Sequence, residues 1–272
     1  MGMAGDMEII CVGNELLIGK TLNTNAQWIA KQTTAFGASV KRVTVVADEV
    51  SEIAESVREA LKRKPKFVIT TGGLGPTFDD KTLEGVAEAL NRRLLVNSDA
   101  LAMVEEKYKA YAKEKRTDPV ELTQARVKMA TLPENAEPVL NPIGTAPGIR
   151  VNVNQTVLIS LPGVPSEMKA IFNGCVVPLI KEASGGSSFY EDSVFVEGVM
   201  ESGLAPLIDR VMRDNAGVYV KSHPKGKESM PHIEVHFSVV ADDGSAAVER
   251  LRRAVLQLSD FVGDVGGSVA RV

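Results

Sequence analysis

The 272-residue chain has two cysteines, three histidines and one tryptophan, and only 5% of its residues are aromatic. Cys11 and Cys175 stand 164 positions apart, each without a second Cys or a His at metal-ligand spacing. That excludes a disulfide framework and a thiolate metal cluster; both read as buried thiols in apolar surroundings. The histidines, His223, His232 and His236, all lie beyond residue 183, so the first two thirds of the chain cannot assemble a Ser-His-Asp or Cys-His nucleophile. No run of about 18 residues is continuously apolar, which excludes a membrane-spanning helix. The first six residues lack the basic region and apolar run of a secretory signal, so a cytoplasmic protein is expected. A basic excess is missing too. The net charge is −4, carried by residues 184–272 with nine Lys+Arg and thirteen Asp+Glu, while the preceding residues hold 22 of each sign. Nucleic-acid binding draws on basic surface, and neither part supplies it.

What is present is ordinary globular composition: 44% hydrophobic, 24% charged, mean hydropathy +0.01. Single cores stop growing at roughly 250–300 residues, so a main domain with a smaller companion is expected. The linker-like stretch Ala183-Ser-Gly-Gly-Ser-Ser188 places the domains at 1–183 and 189–272.

Within the first, apolar runs at 7–12, 40–47 and 67–71 alternate with helical periodicity at 24–36, 48–64 and 81–91. Alternation with short loops predicts a doubly wound, mostly parallel α/β sheet with helices on both faces. Helices are expected at 98–115 and 119–130, a hairpin-like strand pair at 149–153 and 156–161, and a closing helix at 166–181. The second unit reads as a β-α-β-β-α two-layer sandwich, ferredoxin-like or similar to a KH module, with strands at 191–199, 217–222 and 232–240 and helices at 202–214 and 244–262.

Ligands of open α/β sheets bind beyond the C-terminal strand ends, and the polar, Gly-rich segments of this chain fall there. After the first strand comes Gly13–Asn25, with the carboxylate Glu15 and the cluster Asn23-Thr24-Asn25 at a helix entrance, where Asn and Thr can cap the helix or bond a ligand. After the third comes Thr70-Thr-Gly-Gly-Leu-Gly-Pro-Thr-Phe-Asp-Asp80. Gly72, Gly73 and Gly75 let backbone N–H groups converge on an anion. Asp79 and Asp80 either cap the next helix or hold a divalent cation that offsets their repulsion of a phosphate. No Gly-Lys-Ser/Thr follows, so this is not a Walker A loop. Two further turns, Asn141–Gly148 and Leu161–Met168, contain Thr145, Gly163 and Glu167; Glu167 falls in the first turn of a helix, where it also compensates the dipole. His232 and His236 share one strand face about 13 Å apart, too far to hold one metal, and His223 sits in a basic loop.

These four ordered motifs resemble the N-terminal domain of the CinA family, within the molybdopterin-binding superfamily of MoaB/Mog-type proteins. The rest of the chain resembles, more loosely, the KH-like module that follows in that family, including Lys221-Ser-His-Pro224, while the deamidase domain of longer members has no counterpart. The resemblance implies a metal-dependent nucleotide pyrophosphatase acting on ADP-ribose or FAD, with Mg²⁺, Mn²⁺ or Co²⁺ and potassium as an accompanying ion. It implies that Gly72, Gly73 and Gly75 hold phosphates, that Asp80 and Asp79 hold the metal or orient water, and that Glu15 is a further catalytic carboxylate. Asn25, Thr145, Gly163 and Glu167 become ligand contacts, and a homo-oligomer, dimer or trimer, is implied. One departure stands out: Asn14 occupies a position where members often carry an acid. The alternative readings are a pterin-phosphate-binding protein of molybdenum-cofactor metabolism and a non-catalytic nucleotide-binding scaffold.

Overall fold

The computed structural model describes residues 5–115, 121–225 and 232–271. The chain divides into a larger unit, which ends at Ala183, and a smaller one, which holds the residues from Ser184 onward together with Ala35–Gly37.

The larger unit opens with β1 (Asp6–Val12), a short α1 (Asn14–Leu17), α2 (Thr24–Ala35), β2 (Ser39–Val46), α3 (Val50–Lys62), β3 (Phe67–Thr71) and α4 (Thr82–Ala89). The buried, near-continuous apolar runs of β1 and β3 mark strands covered on both faces. Buried residues Ile53, Ala54, Val57 and Ala60 line one stripe of α3. Next come β4 (Leu94–Val96), α5 (Ser98–Lys115), α6 (Gln124–Met129), β5 (Thr131–Pro133), β6 (Glu137–Val139), β7 (Gly148–Val153) and β8 (Thr156–Leu161). The helix expected from residue 119 is seen from Gln124; residues 119 and 120 lie outside the described residues.

The main sheet has the order β2-β1-β3-β8-β7-β6. Strands β2, β1, β3 and β8 run parallel, and β7 pairs antiparallel with both β8 and β6. The sheet is therefore mostly parallel, with its antiparallel part in the hairpin that the Asn154 turn closes at φ 54°. β4 and β5 form a separate two-stranded ladder.

The closing helix is continuous in pattern but not in geometry. It runs as α7 (Pro165–Ile171), a π-helical turn (Phe172–Val176) and α8 (Val177–Ala183). Pro178 has no N–H for the carbonyl four residues back and its ring crowds that carbonyl, so the ladder widens there. Under the sheet, Glu8 of β1 is 5% exposed at its side chain and is paired by both guanidinium arms of Arg63, at 2.7 Å each.

The smaller unit comprises β9 (Ser188–Glu197), α9 (Glu201–Asp214), β10 (Tyr219–Pro224), β11 (His232–Ala241), α10 (Gly244–Asp264) and β12 (Ser268–Arg271). Its sheet is antiparallel throughout, in the order β10-β11-β9-β12, the split βαβ arrangement of ferredoxin-like domains. Asp243 caps α10 by accepting from the amides of Ser245 and Ala246, and Ala247, Leu251, Ala254, Leu258 and Val262 carry its buried face. No described helix is long and apolar enough to cross a membrane.

Candidate functional site

A cleft of about 280 Å³ opens at the C-terminal ends of the four parallel strands. Its walls come from the turns after β1, β2, β3 and β8: Gly13 and Glu15, Asp48, Thr71–Gly73 with Thr77–Asp80, and Gly163. Successive crossovers leave β1 on opposite sides, to β2 and to β3, so the cleft sits at the topological switch point of the sheet.

The floor is the glycine turn. Gly72 has φ +108° and Gly73 φ +63°, both disfavoured for side chains, and a Cβ on Gly72 would lie 2.2 Å from the Val12 carbonyl oxygen. The Gly72 amide donates to the Leu161 carbonyl at 3.0 Å. The amides of Gly73, Leu74 and Gly75 donate to nothing among the described residues. Thr82 anchors the turn from below: its hydroxyl donates to the Gly72 carbonyl at 2.7 Å and its amide to the Gly73 carbonyl at 3.1 Å.

Asn25, in the first turn of α2, braces the cleft. Its Nδ2 donates to the Gly163 carbonyl at 2.8 Å and to Thr71 Oγ1 at 3.2 Å, and Thr71 Oγ1 donates in turn to the Pro162 carbonyl at 3.1 Å. The Asn25 carbonyl oxygen, Oδ1, is buried without a partner. Such an acceptor is costly unless a donor reaches it.

Asp79 and Asp80 do not cap α4, which has no side-chain cap at all. Both converge on Thr77 instead. The Thr77 hydroxyl lies 2.5 Å from Asp79 Oδ1 and 2.5 Å from Asp80 Oδ2, and the Thr77 amide donates to Asp80 Oδ2 at 2.8 Å. One hydroxyl proton cannot serve two carboxylates, so this loop has an acceptor in excess. The Thr77 hydrogen bond, followed by a backbone bond and the charges of Lys128 and Lys81, holds the Asp79 carboxyl below its ordinary pKa. The Lys128 ammonium also donates to the Thr77 carbonyl. Burial pushes the Cys11 thiol up, against a hydrogen bond from Asn23.

Four carboxylates, Glu15, Asp48, Asp79 and Asp80, line the cleft, and no basic side chain does among the described residues. Two like charges about 4 Å apart at an effective dielectric of 20 repel by about 4 kcal/mol, so an anion entering here needs a cation. The residues fit a cation held by one or two carboxylates and by the ligand's own oxygens, the usual mode of Mg²⁺. They do not fit a closed protein cage, because no group of three or more His, Cys, Asp or Glu among the described residues is placed to hold an ion.

The structure thus brings together Glu15, Asn25, Gly72, Gly73, Asp79, Asp80 and Gly163 at one cleft. Gly75 faces an adjoining cavity with Asp80. Glu167 and Thr145 do not line the cleft. Glu167 accepts from Asn141 Nδ2 at 2.7 Å and lies against Gly144, where a Cβ would stand 1.9 Å from its Oε2; it holds the Asn141–Gly148 turn in shape. Thr145 Oγ1 touches the Met129 sulfur at 3.9 Å. His232 and His236 pair instead with Glu197 and Glu191 across β9. Reading the sequence passed over two residues. Asp48, which accepts from the Asn14 amide at 2.8 Å, follows β2 directly, and the strand-end rule applied to β2 would have found it. Lys128 reaches the site only through the packing of α6, for which the sequence carries no local signal.

The fold is α/β, with a cleft at the sheet's switch point. The chain belongs to the family described as "probable molybdopterin binding domain", which matches residues 8–182. A protein of Metallosphaera sedula is 43% identical over 266 residues, covering 97% of either chain. A protein of Aeropyrum pernix is 46% identical over 263 residues, covering 96% of this chain and 95% of its own. The crystal structure of the CinA protein of Thermoplasma acidophilum, a protein of unknown function, is similar with a TM-score of 0.59 and 41% identity, over 65% of this chain and 99% of that one.

Proposed function

We propose that the larger unit binds a phosphate-bearing pterin of the molybdopterin class, with a divalent cation joining the ligand's phosphate to Asp79 and Asp80. The observation that carries this is the glycine turn: the amides of Gly73, Leu74 and Gly75 lack acceptors beside a carboxylate pair that shares a single hydroxyl donor. Family membership gives the ligand class. The cation would supply charge neutralisation, and the backbone amides would orient the phosphoryl oxygens.

Calorimetric titration of the full chain with a pterin monophosphate and Mg²⁺ tests the reading. Removing the cation with EDTA exposes repulsion of about 4 kcal/mol, so affinity should fall roughly 10²–10³-fold. Equal binding with and without the cation, or no binding at all, refutes it.

A second reading, hydrolysis of ADP-ribose or FAD at the same cleft, is favoured by the four carboxylates, since Glu15 or Asp48 offers a proton acceptor for an attacking water. It requires release of AMP with Mg²⁺, Mn²⁺ or Co²⁺, and loss of that release in Asp80→Asn. A pure, folded protein that turns over neither substrate with any of these ions removes it.

A further inference from the structure

On the far side of the glycine turn lies a second cavity, of about 320 Å³, which shares Gly73 and Asp80 with the cleft. Its walls are of a different kind. Leu74 and Leu83 are buried beneath it, Leu94 and Val127 close its sides, and Glu84 and Lys128 supply its charged groups besides the shared Asp80. The Lys128 ammonium is engaged by the Thr77 carbonyl. Glu84, half-buried in the first turn of α4, has no hydrogen-bond or ion-pair partner among the described residues. Both carboxylate oxygens of Glu84 are thus open to N–H donors of whatever fills the space.

We propose that this cavity is the ring compartment of the site and that Glu84 reads the ring's edge. It would take a flat heteroaromatic group whose amino and imino N–H donors lie side by side, the pattern shared by pterins and guanine. The inference rests on the reading of the cleft as the phosphate compartment. Continuity through Gly73 and Asp80 makes one ligand span both: phosphate in the cleft beside the Gly73 amide, ring against Leu74, Leu83 and Val127. Together the two spaces fall within the roughly 300–1,000 Å³ common for small-molecule sites. A carboxylate presents two acceptors to two parallel donors. Adenine offers a donor beside an acceptor, so against adenine one carboxylate oxygen faces a lone pair. Sites built for a hydrogen bond discriminate strongly against a ring that cannot make it.

The experiment is calorimetric titration of the full chain, with the Trp28 fluorescence melt as a check on folding. The probes are Mg²⁺-pyrophosphate, which occupies only the cleft; GMP and AMP with Mg²⁺, which differ only in the ring; and unphosphorylated pterin, which needs only the cavity. The parent protein should bind GMP at least tenfold tighter than AMP. Glu84→Gln, which is isosteric, should reduce that preference to threefold or less. Val127→Phe, which fills the cavity, should weaken GMP and pterin at least tenfold and leave Mg²⁺-pyrophosphate within twofold. The inference is overturned if Glu84→Gln leaves the GMP-to-AMP ratio unchanged, or if a folded Val127→Phe binds GMP like the parent. Failure of Mg²⁺-pyrophosphate to bind the parent defeats the phosphate reading of the cleft instead, and pterin binding that Val127→Phe abolishes still sustains the ring compartment.

Discussion

Gly72 offers the most direct test of how the cleft is held. Its φ of +108° lies where an L side chain is strained, a cost of about 1–3 kcal/mol. A Cβ there would also stand 2.2 Å from the carbonyl oxygen of Val12. That oxygen belongs to the central strand and cannot yield without moving it, so overpacking adds about 1–3 kcal/mol. Gly72→Ala should therefore destabilise the larger unit by about 2–6 kcal/mol. At 2–4 °C per kcal/mol for a unit of about 180 residues, its melting temperature should fall by at least about 4 °C. Trp28, the sole tryptophan, lies on α2 with its ring 5.3 Å from that of Phe172, so its fluorescence follows this unit during a thermal scan. Gly75→Ala is the control. At Gly75 the nearest atom to an added Cβ is Asp80 Oδ2, at 2.6 Å, the end of a side chain that can swing away. Gly75→Ala should melt within about 3 °C of the parent, since reduced unfolded-state entropy offsets part of the lost contact. Its Mg²⁺-pyrophosphate affinity should drop at least tenfold, because the displaced carboxylate no longer meets the cation. A Gly72→Ala protein melting within 2 °C of the parent refutes the steric argument.

Three further outcomes follow from the geometry. Glu167→Ala should lower stability by about 1–3 kcal/mol, since Asn141 Nδ2 keeps its bond to the Ala146 carbonyl at 2.9 Å and loses the acceptor of its other N–H, with ligand affinity unchanged; calorimetry showing weaker binding at equal stability would make Glu167 a ligand contact. Glu8→Ala leaves the Arg63 guanidinium with only the longer contact to Glu59 at 3.7 Å and should cost about 3 kcal/mol in denaturant unfolding, toward the low end for broken buried pairs because Arg63 is 35% exposed; a cost below 1 kcal/mol would make the pair incidental. Thr77→Val removes the first cause of the depressed Asp79 pKa, so its carboxyl should titrate at higher pH in a ¹³C NMR experiment. A carboxyl depressed in the folded state stabilises above the unfolded value and loses that contribution as pH falls through the folded value. Thr77→Val should accordingly show a weaker acid-side dependence of melting than the parent, and an unmoved Asp79 titration would exclude Thr77 as the cause.

Much of the larger unit was legible because burial on two faces leaves a plain signature. The run Phe67–Thr71 is a strand at the expected limits, and β1, β2 and the helix at Ser98–Lys115 shift by no more than a residue at either end. Elements that escaped notice are short ones whose existence depends on partners. The four residues of α1, the three-residue strands β4, β5 and β6, and terminal β12 carry too few positions for a period to show. The π turn escaped because Pro178 alters hydrogen bonding without altering the apolar spacing of the helix. At the site, the glycine turn and Asp79-Asp80 were visible as a string of residue types. The sequence could not show that Thr77, not α4, would gather both carboxylates, since that depends on how the loop closes. Glu167, readable from the sequence either as a ligand contact or as a dipole-compensating residue of a stiff turn, lies outside the cleft lining, with Asn141 donating to it and Gly144 against it.

The amide of Asn25 ties α2 to the turns following β3 and β8 through two bonds from a single nitrogen. Three segments far apart in sequence thereby share one rivet. None of these three can swing outward alone, and whatever settles on one is felt at the other two. Exchange of a bound molecule has to proceed through the mouth that already stands open, or by breaking the rivet and releasing all three rims in the same event.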